Sequence, residues 1–254
     1  MSNAPIGVFD SGVGGLSVLR HIRTLLPHEE LLYVADSTHA PYGSKSQEFI
    51  RERAITLADF LIAQGAKALV VACNTATAAA IETLREQYKL PIIGMEPAVK
   101  PAAAATKTGV IGILATAGTL QSAQFAALLE SYGQSVTVVT QAGHGLVECI
   151  ERGELATDRI RSLLEGYLRP LLEARADTIV LGCTHYPFVR PLIEKIVGRE
   201  VTLIDTGAAV ARQLQKRLVE LGLSAEVGKP GGVTFWSNSQ DEDAEKVTAQ
   251  LWGE

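Results

Sequence analysis

Short apolar runs alternate with longer amphipathic stretches along this chain, and that alternation sets the expected fold. Runs at 6–9, 31–35, 67–72, 91–94, 109–114, 135–140, 177–181, 201–204 and 233–236 predict strands. Most of them lack a polar alternate position, the pattern of strands covered on both faces of a parallel sheet. Stretches with helical spacing at 16–26, 46–64, 76–88, 156–175, 205–221 and 241–252 predict helices, with others carrying Glu148 and Glu151 or opening at Pro187, and 98–106 is Ala-rich. Strand–turn–helix units in series predict an α/β fold. Near residue 98 the series starts again, because 109–114 resembles the first strand and also ends in a Gly/Thr turn. The expected architecture is two similar Rossmann-like or flavodoxin-like α/β domains with mostly parallel sheets, facing each other across a cleft. Residues 1–97 with 208–254 would form the first domain, and 98–207 the second.

The polar residues that interrupt this pattern gather at strand ends, where open parallel sheets bind ligands. The run 177–181 breaks at Gly182 and delivers Cys183, Thr184 and His185. The run 67–72 delivers Cys73, Asn74 and Thr75 in the same way, so each half ends a strand in a cysteine. Asn74 and Thr75 predict a helix cap, and a helix start beside Cys73 is expected to draw its thiol towards the thiolate. The first strand ends in Asp10-Ser11-Gly12-Val13-Gly14-Gly15. Its glycine spacing is not that of a dinucleotide-binding turn, and no Walker lysine follows. It reads either as a cradle for a small anion, with Asp10 placed to hold an amine, or as a tight turn that needs glycine conformations. In the polar loop 37–45, Tyr42 can wall a pocket and the amides around Gly43 can reach a carboxylate, although Pro-x-Gly is also ordinary turn chemistry.

Composition narrows the partners. A formal net charge of −5, with no basic run, disfavours nucleic acid and acidic membranes. No window is apolar enough for a membrane span, and the first residues lack the regions of a secretion signal. Three cysteines far apart are no disulfide framework, and reduced thiols point to the cytoplasm. Cys149 reads as a helix-packing residue, and His21, His28, His39 and His144 as surface or loop histidines. Trp236 and Trp252 read as anchors in the core or an interface, and the charges at 241–246 as a solvated helix face.

Two strand-end thiols admit several chemistries. Disulfide exchange calls for Cys-x-x-Cys, which is absent. Zinc needs about four ligands, whereas Cys73, Cys183 and His185 supply three. A single nucleophile paired with His185 leaves the other cysteine idle. Two acid–base groups facing each other use both. One takes a proton from a carbon centre and the other returns one to the opposite face, inverting it. Ser11, Asn74, Thr75 and Thr184 would donate to the charge that develops in such a site.

The segments FDSGVGGL (9–16), PYG (41–43), ACNTAT (72–77), EPA (96–98), GILATAGT (112–119) and LGCTHYP (181–187) together resemble the bacterial glutamate racemases of the cofactor-independent aspartate/glutamate racemase family. The resemblance runs from about residue 6 to 207. It implies interconversion of L- and D-glutamate, D-glutamate for peptidoglycan, an active site between two α/β domains, no pyridoxal phosphate and no metal. Carried over by motif, Cys73 and Cys183 would be the two acid–base groups, assisted by Asp10 and His185. Substrate contacts would come from Asp10, Ser11, Tyr42, Gly43, Asn74, Thr75, Thr184 and His185, with Thr116 and Thr119 lining the site and Glu151 at its rim. A homodimer is the family expectation. Contact with DNA gyrase, associated with some such racemases, has no motif here. The chain starts just before its first strand, so a constitutive enzyme is expected rather than one needing a cell-wall precursor. Two segments depart from the family's habit, Asp36-Ser37-Thr38-His39 before PYG and Gln141–Gly145 before Glu151. The rival readings are an aspartate or hydantoin racemase and a two-lobed binding protein without turnover.

Overall fold

The structure, a computed structural model, describes residues 2–239 and 242–253. The first half runs β1 (Ile6–Asp10), α1 (Leu16–Leu25), β2 (Leu31–Ala35), α2 (Gln47–Ala63), β3 (Ala68–Val71), α3 (Asn74–Gln87) and β4 (Ile92–Ile93). The second runs α4 (Val99–Ala105), β5 (Val110–Ala115), α5 (Ala117–Leu120), α6 (Ala123–Tyr132), β6 (Thr137–Ala142), α7 (Leu146–Glu151), α8 (Asp158–Glu173), β7 (Thr178–Gly182), α9 (Arg190–Val197) and β8 (Thr202–Ile204). Then α10 (Gly207–Glu220), β9 (Val233–Ser237) and α11 (Glu242–Trp252) follow.

The strands form two sheets, ordered β4-β3-β1-β2-β9 and β6-β5-β7-β8, and all their pairings are parallel. The central strands β1, β3 and β7 are buried at every residue, as their unbroken apolar runs require. The exposed positions fall on the edge strands β6, β8 and β9. In each sheet the chain lays a strand on one side of its first strand and then crosses to the other. The crossing lies between β1 and β3 in one sheet and between β5 and β7 in the other. At such a reversal the flanking connections leave on opposite faces and open a crevice at the strands' carboxyl ends. Asp10 and Cys73 sit at the first crevice, Thr116 and Cys183 at the second.

The helices follow the apolar spacing. Helix α1 buries Leu16, Val18, Leu19 and Ile22, each worth about 1.5–3 kcal/mol when fully removed from water. It packs on α10, whose Val210, Leu214 and Leu218 join the same core cluster as Leu146, Leu164 and Ile179 of the second half. Apolar packing therefore runs unbroken from one sheet's surroundings to the other's. Cys149 is fully buried in that cluster, a packing residue as its surroundings in sequence suggest. Strand β9 pairs with β2, and its Trp236 meets Phe60 edge-on while Phe235 meets Trp252 of α11. Residues 240 and 241 and the side chains of 242 and 243, within the expected charged tail, lie outside the described residues. No helix among the described residues is long and apolar enough to cross a membrane.

Some elements depart from the expected bounds. The polar loop 37–45 winds into two single turns of 3-10 helix, Ser37–His39 and Tyr42–Ser44. Pro187 lies in another such turn, Tyr186–Val189, and α9 starts only at Arg190. Strand β6 runs on to Ala142, past the apolar run, because its ladder with β5 continues through Gln141.

Asp177, just ahead of β7, fastens the turn between α4 and β5. Its carboxylate accepts hydrogen bonds from Lys107 N (2.7 Å), Thr108 N (2.9 Å) and the Thr106 hydroxyl. Partial burial raises its pKa, but these bonds outweigh that and bring it down to about 2. We predict that Asp177→Asn destabilises the protein by about 1 kcal/mol at pH 7, a value kept low because the group is partly exposed. The carboxylate is favoured in the folded state, so the stabilisation is complete above pH ~4 and fades as pH falls towards the folded pKa. Urea unfolding of both proteins at pH 7, 4 and 3 measures this, and a gap that ignores pH would refute it.

Candidate active site

Cys73 follows β3 and is itself the cap of α3, its sulfur accepting from Ala76 N at 3.5 Å. The helix therefore begins one residue earlier than Asn74 and Thr75 as caps would have it. This frees the Asn74 amide. The expected lowering of the thiol's pKa does not follow. Burial pushes the Cys73 thiol well up, and the neighbouring Asp10 carboxylate adds to that, against a smaller opposing effect from Ala76 N. Asp10, at the end of β1, has no exposed surface. Its oxygens accept from Ser11 N (2.7 Å), Gly15 N (2.6 Å), the Ser11 hydroxyl (3.2 Å) and the Thr184 hydroxyl (3.2 Å). Burial raises the pKa of Asp10, with His185 pulling the other way.

Cys183 follows β7, with His185 Nδ1 3.6 Å from its sulfur. The other ring nitrogen, Nε2, shares a hydrogen bond with Glu151 Oε1. Burial alone would pull the imidazolium down, but its bonds to Cys183 and Glu151 outweigh this and hold His185 well above the usual range. Glu151, expected at the rim, thus stands behind His185 as its orienting carboxylate. The same oxygen accepts from Val13 N of the glycine-rich turn at 2.8 Å.

That contact explains the glycines. Gly12, Gly14 and Gly15 all have negative φ, so no left-handed conformation calls for them. A Cβ on Gly12 would lie 1.9 Å from Glu151 Oε1, and one on Gly14 would lie 2.3 Å from His185 Nδ1. Both readings of the turn from sequence are thereby corrected. Its amides at Ser11, Val13 and Gly15 face the protein's own carboxylates, Gly12 and Gly14 give room for side chains from the other half, and Gly15 gives room for Asp10 and Tyr33 of its own. Two residues that the sequence did not single out support it: Tyr33 donates to Gly12 O at 2.6 Å, and the Ser17 hydroxyl lies 2.8 Å from Thr184 O.

Both cysteines line one pocket, with Ser11, Tyr42, Gly43, Asn74, Thr75, Thr116, Thr184 and His185. Pro41 and Val147, not anticipated, complete its wall. Asp10 and Thr119, expected as contacts, stand behind it. Asp10 acts on Cys73, and the Thr119 hydroxyl meets those of Thr75 (3.2 Å) and Thr116 (3.0 Å). Asn74 is the only described residue with both side-chain polar atoms buried and unpartnered. The pocket is nearly closed, with about 10 Å³ of free volume. A cavity of about 630 Å³ lies elsewhere, among α3, α4 and α10, and contains neither cysteine. No group of three or more His, Cys, Asp and Glu among the described residues is arranged to hold a metal ion.

With this geometry in hand, likeness to known proteins is informative. The family model for Asp/Glu/Hydantoin racemase matches residues 6–214. The glutamate racemase of Ectopseudomonas mendocina (strain ymp) is 60% identical over 255 residues, covering 100% of this chain and 96% of the relative. The Escherichia coli glutamate racemase, solved in complex with L-glutamate and the activator UDP-MurNAc-ala, superposes with a TM-score of 0.87 at 33% identity, covering 98% and 96% of the two chains. The Francisella tularensis glutamate racemase in complex with D-glutamate gives 0.86 at 29% identity, covering 100% and 95%. The α/β architecture, the strand-end cysteines and these likenesses converge, and the chain belongs to the Asp/Glu/hydantoin racemase family, in the branch of the bacterial glutamate racemases.

Proposed function

We propose that this protein interconverts L- and D-glutamate with two thiols acting on opposite faces of the α-carbon. The observation that carries the reading is a single small pocket in which Cys73, from one sheet, and Cys183, from the other, meet beside the unpartnered Asn74 amide. A buried polar group left without a partner costs about 1–3 kcal/mol, so that amide is arranged for a polar ligand. The α-carboxylate or ammonium group of an amino acid suits it. Thr75, Thr184 and Ser11 extend the same polar surface. The wall at Tyr42 and Gly43 lies where the side-chain carboxylate of glutamate would be received.

In one direction a thiolate takes the α-proton, so that C–H breaks and S–H forms. The pair of electrons left on carbon delocalises into the α-carboxylate. The opposite thiol then gives its proton to the other face of the carbon, and the chirality is inverted. The two sulfurs exchange protonation states, and the reverse reaction uses them in swapped roles. The surroundings of the two thiols fit this division. Burial, with the Asp10 carboxylate beside it, makes the proton on Cys73 harder to lose. Protonated His185, oriented by Glu151, offsets negative charge on Cys183. Closure excludes water from a carbanion that water would quench.

The free volume of about 10 Å³ is near that of one water probe, so glutamate enters only if the walls part. Residues 1–97 with 208–254 and residues 98–207 would act as the two jaws. D-glutamate made here would supply peptidoglycan synthesis.

The first test is proton NMR of L-glutamate and, separately, of D-glutamate with the protein in D2O and nothing else added. We predict loss of the α-proton signal and appearance of the other enantiomer from either side. Exchange without inversion would remove one thiol from the mechanism, and no exchange with either enantiomer would remove glutamate. We further predict that Cys73→Ser and Cys183→Ser each lower kcat by at least about 10²–10⁴, because a serine hydroxyl is a far weaker base and acid at neutral pH. Retained activity in both variants would sink the two-thiol scheme. Glu151→Gln should move the alkaline limb of the pH–kcat profile down by about one to two units, the size of one charge-assisted hydrogen bond. The direction follows because Glu151 favours the protonated ring, so its loss lowers the pKa of His185. An unmoved limb would show that His185 does not set it.

A further inference from the structure

The Tyr42–Gly43 wall is held from behind, by a carboxylate outside the pocket. Asp36, the residue after β2, has no exposed surface, and its amide donates to Asp10 O at 3.0 Å. Strand pairing thus sets Asp10 and Asp36 side by side with different tasks. Asp36 Oδ2 accepts from the Tyr42 hydroxyl and from Arg53 Nε (3.0 Å). Its Oδ1 accepts from Arg53 Nη2 (2.7 Å) and lies 3.0 Å from His39 Nδ1. Burial pushes the Asp36 carboxyl up, but the bonds from Arg53, Tyr42 and His39 outweigh this and keep it below the ordinary carboxylate range. It is an anion held by four side chains.

The fourth comes from a distant part of the chain. Asn238, just past β9, donates through Nδ2 to Asp36 Oδ1 at 2.6 Å. Its own Oδ1 accepts from Thr38 N at 3.0 Å, and its carbonyl accepts from the Thr38 hydroxyl at 2.9 Å. Asn238 therefore fixes both the carboxylate and the turn that leads from it to Tyr42. The loop it sets is a tight fit. A Cβ on Gly43 would come within 2.9 Å of Thr116, and one on Gly118 within 3.2 Å of Gly43 O. A small shift of this loop would move the pocket wall against the second half.

We propose that Asn238 is a positioning residue for substrate binding, acting through Asp36 on Tyr42 and Gly43. It lies beyond residue 214, where the family match ends, so this support comes from outside the segment that defines the family. The proposal rests on the reading of Tyr42 and Gly43 as the wall that receives glutamate. Interactions with a part of the substrate far from the reacting carbon act chiefly on its binding, so the effect should appear in KM more than in kcat.

The test compares wild type, Asn238→Ala, Asn238→Asp, Tyr42→Phe and the double variant Asn238→Ala/Tyr42→Phe in glutamate racemisation, with thermal unfolding of each. Asn238→Ala should raise KM about tenfold, the factor equivalent to one charge-assisted hydrogen bond, with kcat within about twofold. Asn238→Asp has the same shape but sets a carboxylate against Asp36, and should raise KM further. A residue that only filled space would tolerate it. In the Tyr42→Phe background, where the wall is already detached from Asp36, Asn238→Ala should change KM by less than about twofold. A wild-type KM in both Asn238 variants overturns the proposal, as does an equal effect of Asn238→Ala with and without the Tyr42 hydroxyl. A wild-type protein inactive on glutamate overturns the functional reading beneath it, a different result from an active enzyme indifferent to Asn238.

Discussion

The site depends on one carboxylate of the second half entering a turn of the first. Glu151 Oε1 meets Val13 N and His185 Nε2 together, and it does so only because Gly12 and Gly14 present no side chains. From the opposite direction Thr184 donates to Asp10. Each half thus contributes an anion that the other half helps to hold. Away from water such bonds are strong when complete and costly when broken. The seam and the electrostatics of the thiols are therefore one construction.

The two cysteines share a pocket but not an environment. Cys73 has a buried carboxylate for a neighbour and Cys183 an imidazole kept protonated. Here the asymmetry is built from near-symmetric parts. In both sheets a cysteine emerges beside the reversal of strand order, and the residues that differ come from elsewhere: Asp10 from β1, and Glu151 from α7. A repeated fold supplies two equivalent positions, and distinct neighbours give them distinct surroundings.

How much of this could be read from the residues depends on how local each signal is. Strand and helix positions were legible because burial on both faces leaves apolar runs, and the two cysteines because strand ends are where parallel sheets expose side chains. The state of the Cys73 thiol was not, since a helix start is visible in sequence while Asp10, 63 residues away, is not visibly its neighbour. Glu151 showed the same limit. It carries no motif of its own, and its position behind His185 arises from the packing of α7 against the turn at Tyr186–Val189. The glycines of the first turn were seen but explained by the wrong cause, because close approach and left-handed backbone favour the same residue type. Asp36 and Asn238 went unread for a related reason: their bond joins a departure from the familiar motif to a segment with no motif at all.

Strand β9 gives the protein a temporal property as well as a spatial one. Thr38 and Asn238 are 200 positions apart, yet they share two hydrogen bonds at the edge of the first sheet. Closing so long a loop costs little more in entropy than closing a shorter one, since the cost grows only with the logarithm of length. In synthesis, however, the order is fixed. The β2 edge stands unpaired while the whole second half is being made, and unpaired edges are where nascent chains associate wrongly. Both cysteines will have left the ribosome long before the strand that steadies Tyr42. A nascent chain at that stage carries both pocket cysteines but lacks the contact from Asn238 to Asp36, so the network behind Tyr42 is completed only by the last strand added to the first sheet.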